Sequence, residues 1–109
     1  MHELSITESL VSAVQERING EVRSITLIVG TLSGVVPDSV RFCFEVCTKG
    51  TRLDGARLDI VEVPGRARCR DCLDEVEIAD RIALCHCGSA SLDLVAGEEL
   101  SIKHVEVVV

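Results

Sequence analysis

The sequence predicts an α+β fold, a three-stranded sheet covered by two helices, with an inserted zinc-ribbon-like subdomain. Three observations lead there. Two stretches within the first 50 residues repeat their apolar side chains at helical spacing. Three other stretches are β-branched runs bounded by Gly or Pro. Between the last two of those runs lies a segment with four cysteines, many charges and few large apolar residues.

Residues 4–18 are expected to form the first helix, because Leu10, Val11, Val14 and Ile18 fall on one side of a 3.6-residue turn. Asn19-Gly20 ends it, since both residues accept a left-handed backbone. VRSITLIVG follows as a strand whose nearly unbroken apolar run predicts burial on both faces. GTLSGVV reads as a loop. Pro37 suits the first turn of a second helix, and Asp38 complements its dipole. On that helix Val40, Cys43, Phe44 and Cys47 share a face, so the two cysteines are assigned to core packing rather than to a metal. ARLDIVEV forms the next strand and stops at Pro64-Gly65. The strand pattern returns at ELSIKHVEVVV, where the alternation slips near His104 and predicts a bulge. Residues 1–65 plus 92–109 are thus expected to form one domain and 66–91 a ribbon tied to it at both ends.

At 109 residues the chain has room for one domain and a small appendage. It lacks Trp and Tyr and has only Phe42 and Phe44, so the core must be built from Val, Ile and Leu. The formal net charge of −7 repels phosphate backbones and argues against nonspecific nucleic-acid binding. No run is long and apolar enough to cross a bilayer, and MHELSITES lacks the basic and apolar segments of a signal peptide. A cytoplasmic location is expected, and with it metal binding rather than disulfides for the clustered cysteines.

Those cysteines read Cys69-Arg-Asp-Cys72, then Cys85-His-Cys87-Gly88 after twelve intervening residues. Paired cysteines flanking a hairpin-length loop are the pattern of a zinc ribbon, in which metal–sulfur bonds replace hydrophobic packing. The second pair is one residue short. In an extended segment its Cα atoms would lie roughly 6.6 Å apart, whereas tetrahedral sulfurs at about 2.3 Å from zinc lie roughly 3.8 Å apart. A kink aided by Gly88 closes that difference and turns His86 away. Four sulfurs are therefore preferred over a set in which His86 replaces Cys85. A thioredoxin-like role for Cys69 and Cys72 lacks its βαβ context, and an iron–sulfur cluster would use the same ligands.

At the other end the chain starts Met-His-Glu. An α-amine, deprotonatable amides and an imidazole within two residues make a nitrogen set suited to tetragonal or square-planar Ni(II) and Cu(II).

MHELSIT, VGTLSGVVPDSVRFCFEVCTKGT, GARLDIVEVPGRARCRDC, CHCGS and GEELSIKHVEV, in that order and over essentially the whole chain, resemble the HypA family of hydrogenase nickel-incorporation proteins. The resemblance implies a nickel metallochaperone rather than an enzyme. Nickel would be bound by the Met1 amine, the His2 side chain and amide, and the Glu3 amide. Zinc would be held by Cys69, Cys72, Cys85 and Cys87. It further implies a GTPase nickel-insertion accessory protein as partner and the large subunit of [NiFe] hydrogenase as recipient. The family's usual second knuckle is C-P-x-C-G, from which Cys85-His86-Cys87-Gly88 departs. The competing reading is a zinc-ribbon interaction module whose amino terminus binds no nickel. An enzyme finds no support in the residues: there is no nucleophile–base arrangement, and GTLSG lacks the lysine of a phosphate-binding loop.

Overall fold

Helix α1 spans His2–Arg17 and strand β1 spans Val22–Gly30 in a computed structural model that describes residues 2–108. The helix begins two residues earlier than its apolar spacing predicts, so His2 and Glu3 lie in its first turn. Its end is held by the Arg52 guanidinium, which donates to the carbonyl of Gln15 in the last turn and to those of Ile18 and Gly20 just beyond it. Helix α2, Pro37–Thr48, starts on Pro37 with no side-chain cap at Val36. It carries the crossover that a parallel pairing of β1 with β2, Arg57–Val63, requires.

Strand β3, Gly65–Cys69, follows after Pro64 alone. It is the centre of a second sheet, flanked by β4, Glu75–Ile78, and β5, Leu92–Ala96. The chain then returns to the first sheet as β6, Leu100–Val107, antiparallel to β1, giving the order β2-β1-β6. This second sheet runs from Gly65 to Ala96, so β5, which the expected division at 91/92 put with the first domain, pairs with β3 instead.

Ile25, Leu27 and Val29 point from β1 into a core shared with Leu10, Val11 and Val14 of α1 and Val40 and Phe44 of α2. On the opposite face of β1, Ser24 and Thr26 are engaged by side chains of the neighbouring strand β6. Ser24 Oγ donates to Glu106 Oε1 at 2.8 Å, and Thr26 Oγ1 meets His104 Nε2 at 3.2 Å. Two register shifts make this possible. One at Arg23 turns Val22 back into the core, and one at Lys103 lies beside His104, where the alternation slips.

The ribbon has a small apolar cluster of its own: Leu32, Ala67 and Ile78, edged by Val76, Ala83, Leu92 and Leu94. Leu32 reaches it from the end of β1. Around that crossing Gly30, Gly65 and Gly97 approach so closely that a Cβ on Gly30 would lie 2.0 Å from the Gly97 oxygen. The molecule is accordingly long, 53 × 28 × 18 Å, with a radius of gyration of 17.2 Å. A single compact body of this length would have about 13 Å.

Candidate metal centres

The first knuckle forms where β3 ends. Cys69 N donates to Asp74 O and Leu73 N to Cys69 O, closing a tight turn in which Leu73 takes a left-handed φ of 67°. The second knuckle mirrors it: Cys85 N donates to Ser89 O, Gly88 N to Cys85 O, and Gly88 has φ 93°. Gly88 therefore does for Cys87 what Leu73 does for Cys72. The shortened pair is closed by a turn over Cys85–Gly88 rather than by a kinked extended segment. Arg70 paired with Asp93, and Ser89 bonded to Asp71, fasten the knuckle backbones to their surroundings.

These turns bring the four Sγ atoms within 4.8 Å of one another. Cys69 lies 3.7 Å from Cys87, and Cys72 lies 3.5 Å from Cys85. The edge of a tetrahedron of thiolates about zinc is roughly 3.8 Å, so the residues fit a zinc ion. Cys69 and Cys85 are buried, Cys72 is half-buried and Cys87 is exposed. The Cys72 amide, aimed at Cys69 Sγ from 3.5 Å, is the main cause that lowers the Cys69 thiol to about 6. At Cys72 the Asp74 amide pulls the other way, but desolvation and the crowding sulfurs of Cys85, Cys69 and Cys87 prevail and push it to about 12. Cys87 is also raised, its Ser89 amide being outweighed by desolvation and by Cys69 and Cys85. Cys69 is thus readied to receive a cation, whereas Cys72 and Cys87 must release their protons when one binds.

His86 stands beside the four sulfurs and forms, with Cys72 and Asp74, a second group able to hold a metal. Its Nε2 meets Asp74 Oδ2 at 3.1 Å, while Nδ1 lies 3.9 Å from Cys85 Sγ. Asp74 is the residue that sequence reasoning missed here. Its position two residues after Cys72 was the available signal.

At the far end, His2 is exposed and Glu3 has only 15% of its side chain accessible. Their first-turn amides have no intrahelical acceptor. Glu3 Oε2 lies 3.0 Å from His2 Nε2 and 3.4 Å from the Val36 amide at the start of α2. Partial burial raises the Glu3 carboxyl, but the amides of Glu3 and Val36 and the charge of His2 outweigh it, so it is held below its ordinary value. Met1, the third residue of the expected nickel set, lies outside the described residues.

Residues 1–107 match the protein family described as hydrogenase/urease nickel incorporation, metallochaperone, HypA. The chain belongs to the HypA family. Hydrogenase maturation factors HypA are similar to this HypA-family chain over nearly its whole length. That of Trichormus variabilis is 48% identical over 108 residues, covering 98% of the chain and 96% of the relative. That of Geobacter metallireducens is 47% identical, covering 98% and 99%. Two solution structures share the fold. The nickel metallochaperone HypA of Helicobacter pylori matches with a TM-score of 0.63 at 19% identity, covering 96% of each chain. A second HypA protein matches with 0.69 at 22% identity, covering 99% and 97%.

The remaining candidate residues of this HypA-family chain stand apart from both ends. Cys47 packs against the main core, where burial, Glu8 and Cys43 raise its thiol. Cys43 is half-buried beside it, and among the described residues neither belongs to a group able to hold a metal. His104 is occupied by Thr26.

Proposed function

We propose that this HypA-family chain is a nickel metallochaperone that takes up Ni(II) as cargo through the Met1 amine, the His2 imidazole and amide, and the Glu3 amide. It passes the ion to the large subunit of [NiFe] hydrogenase in concert with a nickel-insertion GTPase. A structural zinc is held by Cys69, Cys72, Cys85 and Cys87. The observation that carries the nickel reading is the position of His2, an exposed imidazole in a first helical turn whose amides have no helical acceptors. Amides in that position can lose their protons to a metal without breaking an intrahelical bond.

The same position favours release. The amino end of a helix carries about half a positive charge, which opposes a bound cation and loosens it by up to about 1 kcal/mol. The zinc supplies four bonds that hold the ribbon's turns together, and the chain's own contribution is to bring the sulfurs within reach of one ion. The sulfur set contains no open protein position for substrate, so its role is structural.

The deciding measurement is a Ni(II) titration of the untagged, zinc-loaded protein. Uptake of about one equivalent is expected, with loss of nitrogen coordination in His2→Ala. Residues added before Met1 should abolish the same binding with the fold intact. Nickel uptake indifferent to both changes would leave the zinc-ribbon interaction module as the better reading.

A further inference from the structure

Beside the amino terminus, Leu4 of α1 and Phe42, Cys43 and Val46 of α2 line an open groove of about 500 Å³. Phe42 is 69% exposed and Val46 is 52% exposed, one helical turn apart on the same side of α2. Of the chain's two aromatic residues, Phe44 serves the core and Phe42 stands in solvent. Among the described residues, the charged side chains lining the groove are Glu3 and Asp38, both acidic. The nearest cation along α2, Arg41, is engaged with the Leu58 carbonyl.

An apolar trough between two helices, with anchors at i and i+4, fits an amphipathic helix laid on its apolar face. Its charged lining selects the sign of what flanks that face. A second copy of this chain would bring Glu3 and Asp38 against Glu3 and Asp38, with −7 on each partner, and is disfavoured. Nucleic acids and anionic lipid surfaces are repelled for the same reason. We propose that the groove formed by Leu4, Phe42 and Val46 and edged by Glu3 and Asp38 receives a basic amphipathic helix of a protein partner. The inference rests on the nickel reading above and deepens it. Because Glu3 belongs both to the groove and to the turn that carries His2, the docked helix lies next to the cargo site.

The test uses the full, untagged chain and two synthetic peptides of about 18 residues, five helical turns. One has Leu on one face and Lys on the other, and its counterpart has Glu in place of Lys. Fluorescence anisotropy should show the Leu/Lys peptide binding the native chain and the Leu/Glu peptide failing to bind. Phe42→Ser and Val46→Ser should each weaken binding about tenfold or more, as truncation of an interface anchor does. Asp38→Asn should weaken it less. Both apolar positions are exposed, so these variants should keep the native circular dichroism and thermal transition. Undiminished binding in both serine variants would reduce the interaction to bulk charge and overturn the proposal. So would equal binding of the Leu/Glu peptide, or a concentration-dependent dimer that the serine substitutions abolish. Nickel titration of the same proteins separates the two readings. Phe42→Ser should still take up nickel, whereas uptake that survives His2→Ala sinks the nickel reading and leaves the peptide result standing.

Discussion

Glu3 shows how much can rest on one side chain. Its carboxylate faces the His2 imidazole and the Val36 amide, and its carbonyl accepts the Thr7 hydroxyl at 2.7 Å. It thereby ties α1 to the residue just ahead of α2, whose own Val36 offers no side-chain acceptor. A carboxyl whose folded pKa lies below its ordinary 4.5 binds fewer protons folded than unfolded. Its contribution to stability is therefore complete above that ordinary value and is lost as the pH falls through the folded one. Glu3→Gln should lower the midpoint of chemical denaturation at neutral pH and flatten its decline on the acid side of 4.5. An unchanged acid-side slope would show that Glu3 is not held as described. The proposed amino-terminal set can be named from the sequence alone because amine, amides and imidazole are neighbours in it. The tie to Val36 was not, since it spans 33 positions and arises only from the packing of α1 on α2. The same packing explains Cys43. Helical spacing grouped it with Val40 and Phe44, yet it sits at the margin, facing the groove.

At the level of elements, the ribbon has far less apolar core to hold it than the main domain has. Among the described residues its cluster has three that are buried and apolar, one of them borrowed from the end of β1, against ten in the main core. Small zinc-dependent folds draw apparent binding energies of roughly 10–16 kcal/mol from their metal, far more than such a cluster can supply. Cys72→Ala, or a strong chelator, should release the zinc and broaden or collapse the amide resonances of the two knuckles. Those of α1, α2 and β1 should persist. Retention of a full equivalent of zinc in Cys72→Ala would exclude the four-sulfur set. The thiols also fix the sign of the pH dependence. Cys72 and Cys87 hold their protons in the metal-free chain while Cys69, near 6, gives its proton up early. Loading must then release protons, and zinc affinity must rise with pH, most steeply below the range in which Cys69 ionises, where its proton too is displaced. Calorimetry in buffers of different ionisation enthalpy reads the proton count directly. The cysteine spacing was enough to pick out this element, and periodicity was enough for the two helices and the three strands of the first sheet, but not for β3, β4 and β5. The turn that lets Cys85 and Cys87 converge was not legible, because extended-chain geometry was assumed where a four-residue turn forms.

Across the whole molecule, the decisive feature is the crossing through which the two sheets are joined. Thr31 and Leu32 continue β1 past its end. Thr31 N donates to Val63 O and Leu32 N to Gly97 O, and Arg81 donates to the Leu32 carbonyl and pairs with Glu98. Four residues beyond Leu32, the chain reaches Val36 and its contact with Glu3. A single short segment therefore runs from the ribbon's apolar cluster to the amino-terminal turn. Sequence alone marked glycines 30 and 34 as loop residues without distinguishing them, since a close approach of distant backbone leaves no local signal. They differ sharply. Gly34 has φ 79° with nothing within 4 Å of a built Cβ, so Gly34→Ala meets only the left-handed penalty of roughly 1–2 kcal/mol. At Gly30 a Cβ would collide with backbone, 2.0 Å from the Gly97 oxygen and 2.7 Å from the Glu98 nitrogen, and neither can turn aside as a side chain would. Gly30→Ala must then push the two crossing strands apart, at about 3 kcal/mol or more, the upper range for overpacked sites. It should also change how the ribbon sits on the sheet, which small-angle scattering reads against the native radius of gyration of 17.2 Å and residual dipolar couplings read as a rotation. If Gly30→Ala is no more costly than Gly34→Ala and leaves both observables unchanged, the crossing does not fix the arrangement of the two sheets, and the path from Leu32 to Glu3 has no rigid origin.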